Sequence, residues 1–375
     1  MGASIHLLSV RGIDIRMHIT FPLILIWGAL QFGLFSDRGL SGAIFGVVVT
    51  LLLFIIVLLH ELGHSFAAQY YGVEVKQIVL LPIGGVAQLA SIPEKPSQEF
   101  VIAIAGPLVN FILAILMLIF GLLAGFRVSL AGAADIFRTM EALGADALFN
   151  YLFLTNLFLA IFNLLPAFPM DGGRVLRAIL ASQMNYVRAT IIAASIGQAL
   201  AWALGLWGFL QGGFFIILIA IFIYLGAGHE RQSVQLRHTL GGLRVDQAYS
   251  RQVRTLSPDS ALRAAVELTL STFQADFPVC EGDRLVGLLP YTRLIEALNQ
   301  YETSTPVAEV MLTDVLTVAP DEEMVAVQQR LAESNLDALP VVDGERFLGL
   351  ITSRDISELY RLVSIQPDLI PARAG

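Results

Sequence analysis

GLSGAIFGVVVTLLLFIIVLLHELGH, residues Gly39 to His64, is the stretch that decides the fold. From Gly39 to His60 it carries no Asp, Glu, Lys or Arg, and a bilayer core asks for only about 20 apolar residues of helix. The run then ends in His60-Glu61-Leu62-Gly63-His64. On a helix, positions i and i+4 lie one above the other on a single face. His60 and His64 can therefore share one zinc ion, while Glu61, the next residue round, reaches water held there. The expectation is hydrolysis inside a membrane.

The composition agrees. Of 375 residues, 56% are hydrophobic and only 14% charged, with a mean hydropathy of +0.71; about a quarter charged is usual for a soluble globular chain. Residues 1–229 hold 10 Lys+Arg and 10 Asp+Glu, whereas residues 230–375 hold 13 and 21, so the formal charge of -8 sits in the C-terminal part. A tail of that sign is unsuited to nucleic acid. One cysteine, Cys280, excludes an internal disulfide framework and a cysteine-based zinc site. The residues before the first apolar run are mixed, and no small-residue cleavage site follows it, so no cleavable signal is expected.

Charge-free intervals run from Met17 to Ser36, Gly39 to His60, Phe100 to Phe126 and Ala147 to Met170. A fifth, Ala189–Gly228, is long enough for two helices, with Gly205, Gly208, Gly212 and Gly213 marking a turn within it. Six spans are predicted. If the N-terminus is cytoplasmic, the inner segments carry Arg11, Arg16, Lys76, Lys95, Arg174, Arg177 and Arg188, and the outer loops carry Arg38, Arg127 and Arg138. This topology puts the tail in the cytoplasm and makes spans two and four run the same way. The histidines then share the depth of Asp171, at the end of span four.

Asp171 belongs to the second informative motif, Asn163-Leu164-Leu165-Pro166-Ala167-Phe168-Pro169-Met170-Asp171-Gly172-Gly173. Two prolines three apart followed by Asp-Gly-Gly cannot continue a regular helix, so the backbone must unwind. Irregular backbone at membrane depth is tolerated only where protein or a water-filled cavity satisfies it. A carboxylate there is a functional hypothesis by default. Its natural partner is the metal, giving two histidines, one carboxylate and an open position for water.

With both motifs in place the chain resembles the site-2 proteases, intramembrane zinc metalloproteases, in the prokaryotic branch with C-terminal CBS domains. His60, Glu61 and His64 match the first motif of that family; Asn163, Pro166, Pro169, Asp171 and Gly172 match the second. Gly106-Pro107-Leu108-Val109-Asn110 resembles a third element, whose Asn lies near the catalytic centre. The resemblance implies one Zn2+ bound by His60, His64 and Asp171, with Glu61 as general base. Asn110 or Asn163 can supply an amide donor to the oxyanion. The implied substrates are transmembrane segments of regulatory membrane proteins, cut near the cytoplasmic face by a multi-pass protein of a prokaryotic plasma membrane.

Val73–Phe100 reads as a strand Val75–Leu81, a turn through Pro82-Ile83-Gly84-Gly85, and a second strand Val86–Ile92, with the Gly-Gly pair supplying positive φ. In the family a similar hairpin dips into the membrane, where a strand edge could capture an unwound substrate.

The tail repeats itself. Val253–Leu256, Pro258, Asp259, Pro278, Val279, Gly282 and Gly287 recur at a constant offset as Val315–Val318, Pro320, Asp321, Pro340, Val341, Gly344 and Gly349. Each copy reads as strand, Pro-Asp turn, helix, two strands and a helix, and resembles a CBS motif. The resemblance implies an adenine nucleotide, ATP or AMP, contacted through Gly349, Thr352 and Asp355 of the second copy; the first copy has Pro290 and Arg293 where the second has Thr352 and Asp355. A homodimer through this pair is a further expectation. The predicted architecture is thus a six-helix polytopic membrane domain with a small membrane-associated β-hairpin at 1–229, a linker at 230–243, and an α+β CBS pair at 244–375.

Two other functions compete. A prenylprotein-type membrane zinc protease would need a downstream helical Glu as third ligand, and Asp171 in its Pro-rich setting speaks against that. A CBS-gated metal transporter or sensor would need a polar path across the membrane, and spans five and six carry no such series.

Overall fold

The structure is a computed structural model that describes residues 4–82, 84–89, 93–126, 128, 144–272, 274–334 and 336–366. Arg127, Arg138, Ile83 and Ile92 lie outside them. The chain divides into two compact units, Met1–Gln232 and Ser233–Gly375.

The first unit opens with a hairpin, β1 (Ser4–Val10) and β2 (Ile13–His18), joined through Arg11 and Gly12 at positive φ. Helix α1 (Pro22–Ala29) follows and widens into five π-helical residues, Leu30–Leu34. Helix α2 (Gly39–Tyr70) carries the first motif. Strands β3 (Val75–Leu81) and β4 (Gly84–Leu89) complete a sheet of order β1-β2-β3-β4, in which β2 and β3 run parallel with Ile15 opposite Ile78. Helices α3 (Pro96–Ala124), α4 (Ala145–Asn163), α5 (Asp171–Ala181), α6 (Tyr186–Leu210) and α7 (Phe214–Leu240) finish the unit, the last running past its boundary.

The structure departs from the six-span expectation at its first member. Among the described residues five helices, α2, α3, α4, α6 and α7, are long and apolar enough to cross a membrane. Pro22–Leu34 is shorter; at 1.5 Å per residue it reaches about 20 Å against a core of about 30 Å. The reason lies upstream. Met17 and His18, assigned to the span by absence of charge, belong to β2, where Ile13 and Ile15 point into the core at 0% and 1% exposure while Asp14 and Arg16 point away. The predicted hairpin is likewise half of a larger sheet.

That sheet is not peripheral to the site. Ile13, Val75, Ile78 and Leu80 pack in one cluster with Leu62 and Ala68 of α2 and Ile102 of α3. The sheet therefore clamps the end of α2 that bears the motif. Between β3 and β4 the turn is tighter than expected: Leu81 pairs with Gly84, so Gly84 and Gly85 begin the strand and do not form the turn. At Gly85 the strand passes so close to α2 that a Cβ would stand 2.7 Å from Glu61 Cγ.

The second unit contains a sheet of order β5-β6-β8-β7 built from two hairpins, β5 (Phe277–Glu281) with β6 (Arg284–Leu289) and β7 (Ala338–Asp343) with β8 (Arg346–Thr352). They meet at Arg284 opposite Arg346. Helices α8 (Leu262–Thr272) and α9 (Tyr291–Gln300) flank the first hairpin in sequence, and α10 (Met324–Ser334) and α11 (Ser353–Ile365) the second. The repeat is visible in the bridges: Leu256 pairs parallel with Val279, and Val318 with Val341. Each copy has its own core, one around Leu262, Phe277 and Leu289, the other around Met324, Leu339 and Ile351.

Candidate metal centre

His60 and His64 lie one turn apart on α2, 4% and 6% exposed. Asp171 is the first residue of α5, released from α4 by the Pro166–Pro169 segment, with Met170 extended as the cap. Its Oδ2 stands 3.2 Å from His60 Nε2 and 3.1 Å from His64 Nε2, and the two Nε2 atoms are 3.0 Å apart. Among the described residues these three form the group of His, Cys, Asp or Glu side chains arranged to hold a metal.

The donor chemistry fits a cation. His64 Nδ1 donates to the Ile102 carbonyl at 2.7 Å, and His60 Nδ1 donates to Asn110 Oδ1 at 3.2 Å. With both Nδ1 protons committed, each Nε2 of a neutral ring presents a lone pair. Two lone pairs and a carboxylate oxygen then converge, a repulsive arrangement unless a positive ion lies among them. Zinc bonds of about 2.0–2.2 Å in a tetrahedral array set donor atoms roughly 3.3 Å apart, close to the spacings here. Metal-ligating histidines nearly always donate their other nitrogen to such a partner.

Helix α3 supplies these partners and also the room. A Cβ on Gly106 would stand 2.2 Å from His64 Nε2, so only glycine lets the ring reach its place. Pro107, next in the helix, cannot donate to the Ala103 carbonyl and loosens the hydrogen bonding beside Ile102. Asn110 is wholly buried, and its own carbonyl accepts from Asn156 Nδ2 of α4 at 2.9 Å. Glu61 lies beside the three ligands, within electrostatic reach of each and of the Ala87 backbone N–H on β4. Asn163 ends α4 and is partly buried.

The sequence reading missed Asn156 and the Ile102 carbonyl. Asn156 left a signal, an amide inside an apolar span; a backbone carbonyl leaves none. In the second unit, Thr352 and Asp355 are brought together as a reciprocal cap of α11. Asp355 Oδ2 accepts from Thr352 N at 2.9 Å and Oγ1 at 2.7 Å, and Thr352 Oγ1 accepts from Asp355 N.

The profile of peptidase family M50 matches residues 48–204, a span that includes both motifs. Zinc metalloprotease MJ0392 of Methanocaldococcus jannaschii is 35% identical over 369 residues, covering 98% of this chain and 99% of that protein. The chain belongs to peptidase family M50. Putative zinc metalloprotease Rip3 of Mycobacterium tuberculosis is 32% identical over 326 residues, 83% of this chain and 80% of its own. The solved site-2 protease of M. jannaschii shares 43% identity, with 61% of this chain and 95% of that one covered at a TM-score of 0.44. A CBS domain profile matches residues 307–361, within the second repeat. This M50 peptidase is thus a membrane-embedded zinc metalloprotease of the site-2 type with a C-terminal CBS unit.

Proposed function

We propose that this peptidase cleaves transmembrane segments of regulatory membrane proteins near the cytoplasmic face of a prokaryotic plasma membrane, with both termini in the cytoplasm. The convergence of His60, His64 and Asp171 where the apolar stretch of the long helix α2 ends carries this reading. From Gly39 to His60, α2 rises about 33 Å, a little more than the hydrocarbon core. The lysine and arginine bias makes that end the cytoplasmic one, and a site there gives water a short route in.

When bound by His60, His64 and Asp171, zinc supplies Lewis acidity and lowers the pKa of water towards about 7. Glu61 takes the proton from the attacking water and delivers it to the leaving amide nitrogen. Asn110 and Asn163 are the candidate amide donors to the acyl oxygen. Asn110 already holds His60 through Oδ1, while its Nδ2 makes no hydrogen bond among the described residues.

A helical peptide bond is hidden in its own hydrogen-bond ladder, so the substrate must unwind. Among the described residues β4 pairs with β3 alone, and its Ala87 N–H is aimed towards Glu61. An unwound segment adding to β4 as a strand would be delivered beside the base. In the tail, the second repeat binds adenine nucleotide through Gly349, Thr352 and Asp355 and adjusts cleavage, and the CBS pair joins two copies of the chain.

The test is reconstitution of the purified chain in lipid with a panel of transmembrane peptides, beside Glu61→Gln. Cleavage confined to the wild type supports the reading; zinc binding with no cleavage, or cleavage indifferent to the substitution, refutes it. For the tail, a nucleotide titration with no binding and no change in cleavage would sink the regulatory part.

A further inference from the structure

Beside the metal centre lies a second buried polar cluster that the chemistry above does not use. Arg177, on α5, is 0% exposed. Its Nε donates to Glu99 Oε1 at 2.8 Å, Nη2 donates to the same oxygen, and Nη1 donates to Glu230 Oε1. The guanidinium is flanked by two rings, with its carbon 4.9 Å from the Phe168 centroid and 4.8 Å from that of Tyr186. Glu99 is also 0% exposed, and Arg174 acts on it as a second nearby positive charge. Two arginines and two glutamates thus balance. Through one side chain, α5 is tied to α3 by Glu99, to α6 by Tyr186, to α7 by Glu230, and to its own preceding loop by Phe168.

Stability alone is a poor reason for such a cluster, because well-packed apolar residues often serve as well as a buried ion pair. Its location suggests another role. Glu99 stands on α3 just ahead of Ile102, whose carbonyl orients His64, and on the same helix as Asn110, which orients His60. Phe168 and Arg177 stand on either side of Asp171 in the chain. The pair therefore joins the helix that aims the histidines to the helix that presents the carboxylate. A metal site tolerates ligand displacements of only a few tenths of an ångström. A guanidinium fixes distance and rotation together, since its donors are planar and rigid; an ammonium fixes neither as well.

We infer that Arg177 is a positioning residue for the metal-binding carboxylate Asp171, anchored on one side by Glu99 and on the other by Glu230. The inference rests on the metal-centre reading. Disturbing this support is expected to act on metal affinity by about 10- to 100-fold, the usual effect of removing an outer partner of a metal ligand.

The test uses the full chain purified in detergent. Zn2+ affinity is measured by competition with a chromophoric chelator, the Co2+ form by its visible absorption spectrum, and folding by thermal unfolding without metal. The variants are R177K, which keeps the charge and loses the fork, R177M, and D171A as reference. Both Arg177 variants are expected to bind Zn2+ about 10- to 100-fold more weakly and to alter the Co2+ spectrum. The lysine is not expected to rescue either readout. Should R177M fail to fold, R177K carries the test. Wild-type Zn2+ affinity and an unchanged Co2+ spectrum in R177K, whatever its unfolding temperature, would leave Arg177 a stabilising residue only and overturn the inference. If D171A itself binds zinc as the wild type does, the metal-centre reading fails, and this inference with it.

Discussion

Gly106 of α3 and His64 of α2 touch so closely that a Cβ on the glycine would stand 2.2 Å from Nε2, the ring nitrogen that faces Asp171. Two helices of a membrane protein approach this closely where small residues line the contact. Here the contact does more than pack helices, since the space it leaves is filled by the candidate metal ligand His64. Gly106→Ala must push the ring aside and move Nε2 away from its partners. Zinc content of the purified variant, measured by elemental analysis, is expected to fall at least about tenfold, with the helical circular dichroism retained.

Asn110 and His60 make a second such pair. The amide oxygen accepts the Nδ1 proton at 3.2 Å and so selects the tautomer that leaves Nε2 free. Asn110→Ala should weaken zinc binding by about 10- to 100-fold, and Asn110→Asp, which keeps an acceptor, should recover most of it. Chelator competition on the three proteins checks the order.

Gly85 tests the hairpin separately from the metal. A Cβ there presses on Glu61 Cγ at 2.7 Å and touches none of the ligands among its nearest neighbours. Gly85→Ala is expected to leave zinc bound while cleavage of a transmembrane peptide falls by about tenfold or more, as general base catalysis is worth about 10²–10⁴-fold. Metal content and turnover, measured on one preparation, separate these effects.

In the tail, Asp355 caps α11 through Thr352, and its other oxygen takes a hydrogen bond from Ser250 at 3.2 Å. Loss of an N-cap costs about 1 kcal/mol, and Asp355 supplies only the reciprocal half of this one. Asp355→Ala should therefore lower the thermal stability of the tail slightly, and remove any adenine-nucleotide binding seen by calorimetry. Thr352→Ser, which keeps the cap, should retain both.

Much of the site was legible because its chemistry needs rare residues at fixed spacing. His60, Glu61 and His64 announce themselves on a charge-free helix, and Asp171 after Pro166 and Pro169 marks broken backbone where backbone seldom breaks. The long apolar helices and the tail repeat were legible for similar reasons. The sheet was read only in half. β2 alternates Ile13, Ile15 and Met17 with Asp14, Arg16 and His18 after the Arg11-Gly12 turn, a strand pattern that charge counting passed over. What holds the ligands was the least visible part. The Ile102 carbonyl has no sequence signature, and Glu99, Arg177 and Glu230 become one cluster only when three helices meet.

The central claim is that Glu61, held beside a zinc site made by His60, His64 and Asp171, carries peptide hydrolysis within the membrane. The most direct measurement is cleavage of a reconstituted transmembrane peptide by wild type and Glu61→Gln, each with its zinc content determined. The account predicts one zinc per chain in both proteins and turnover in the wild type alone, reduced in the variant by about 10²–10⁴-fold. Equal turnover in the two zinc-loaded proteins would contradict it.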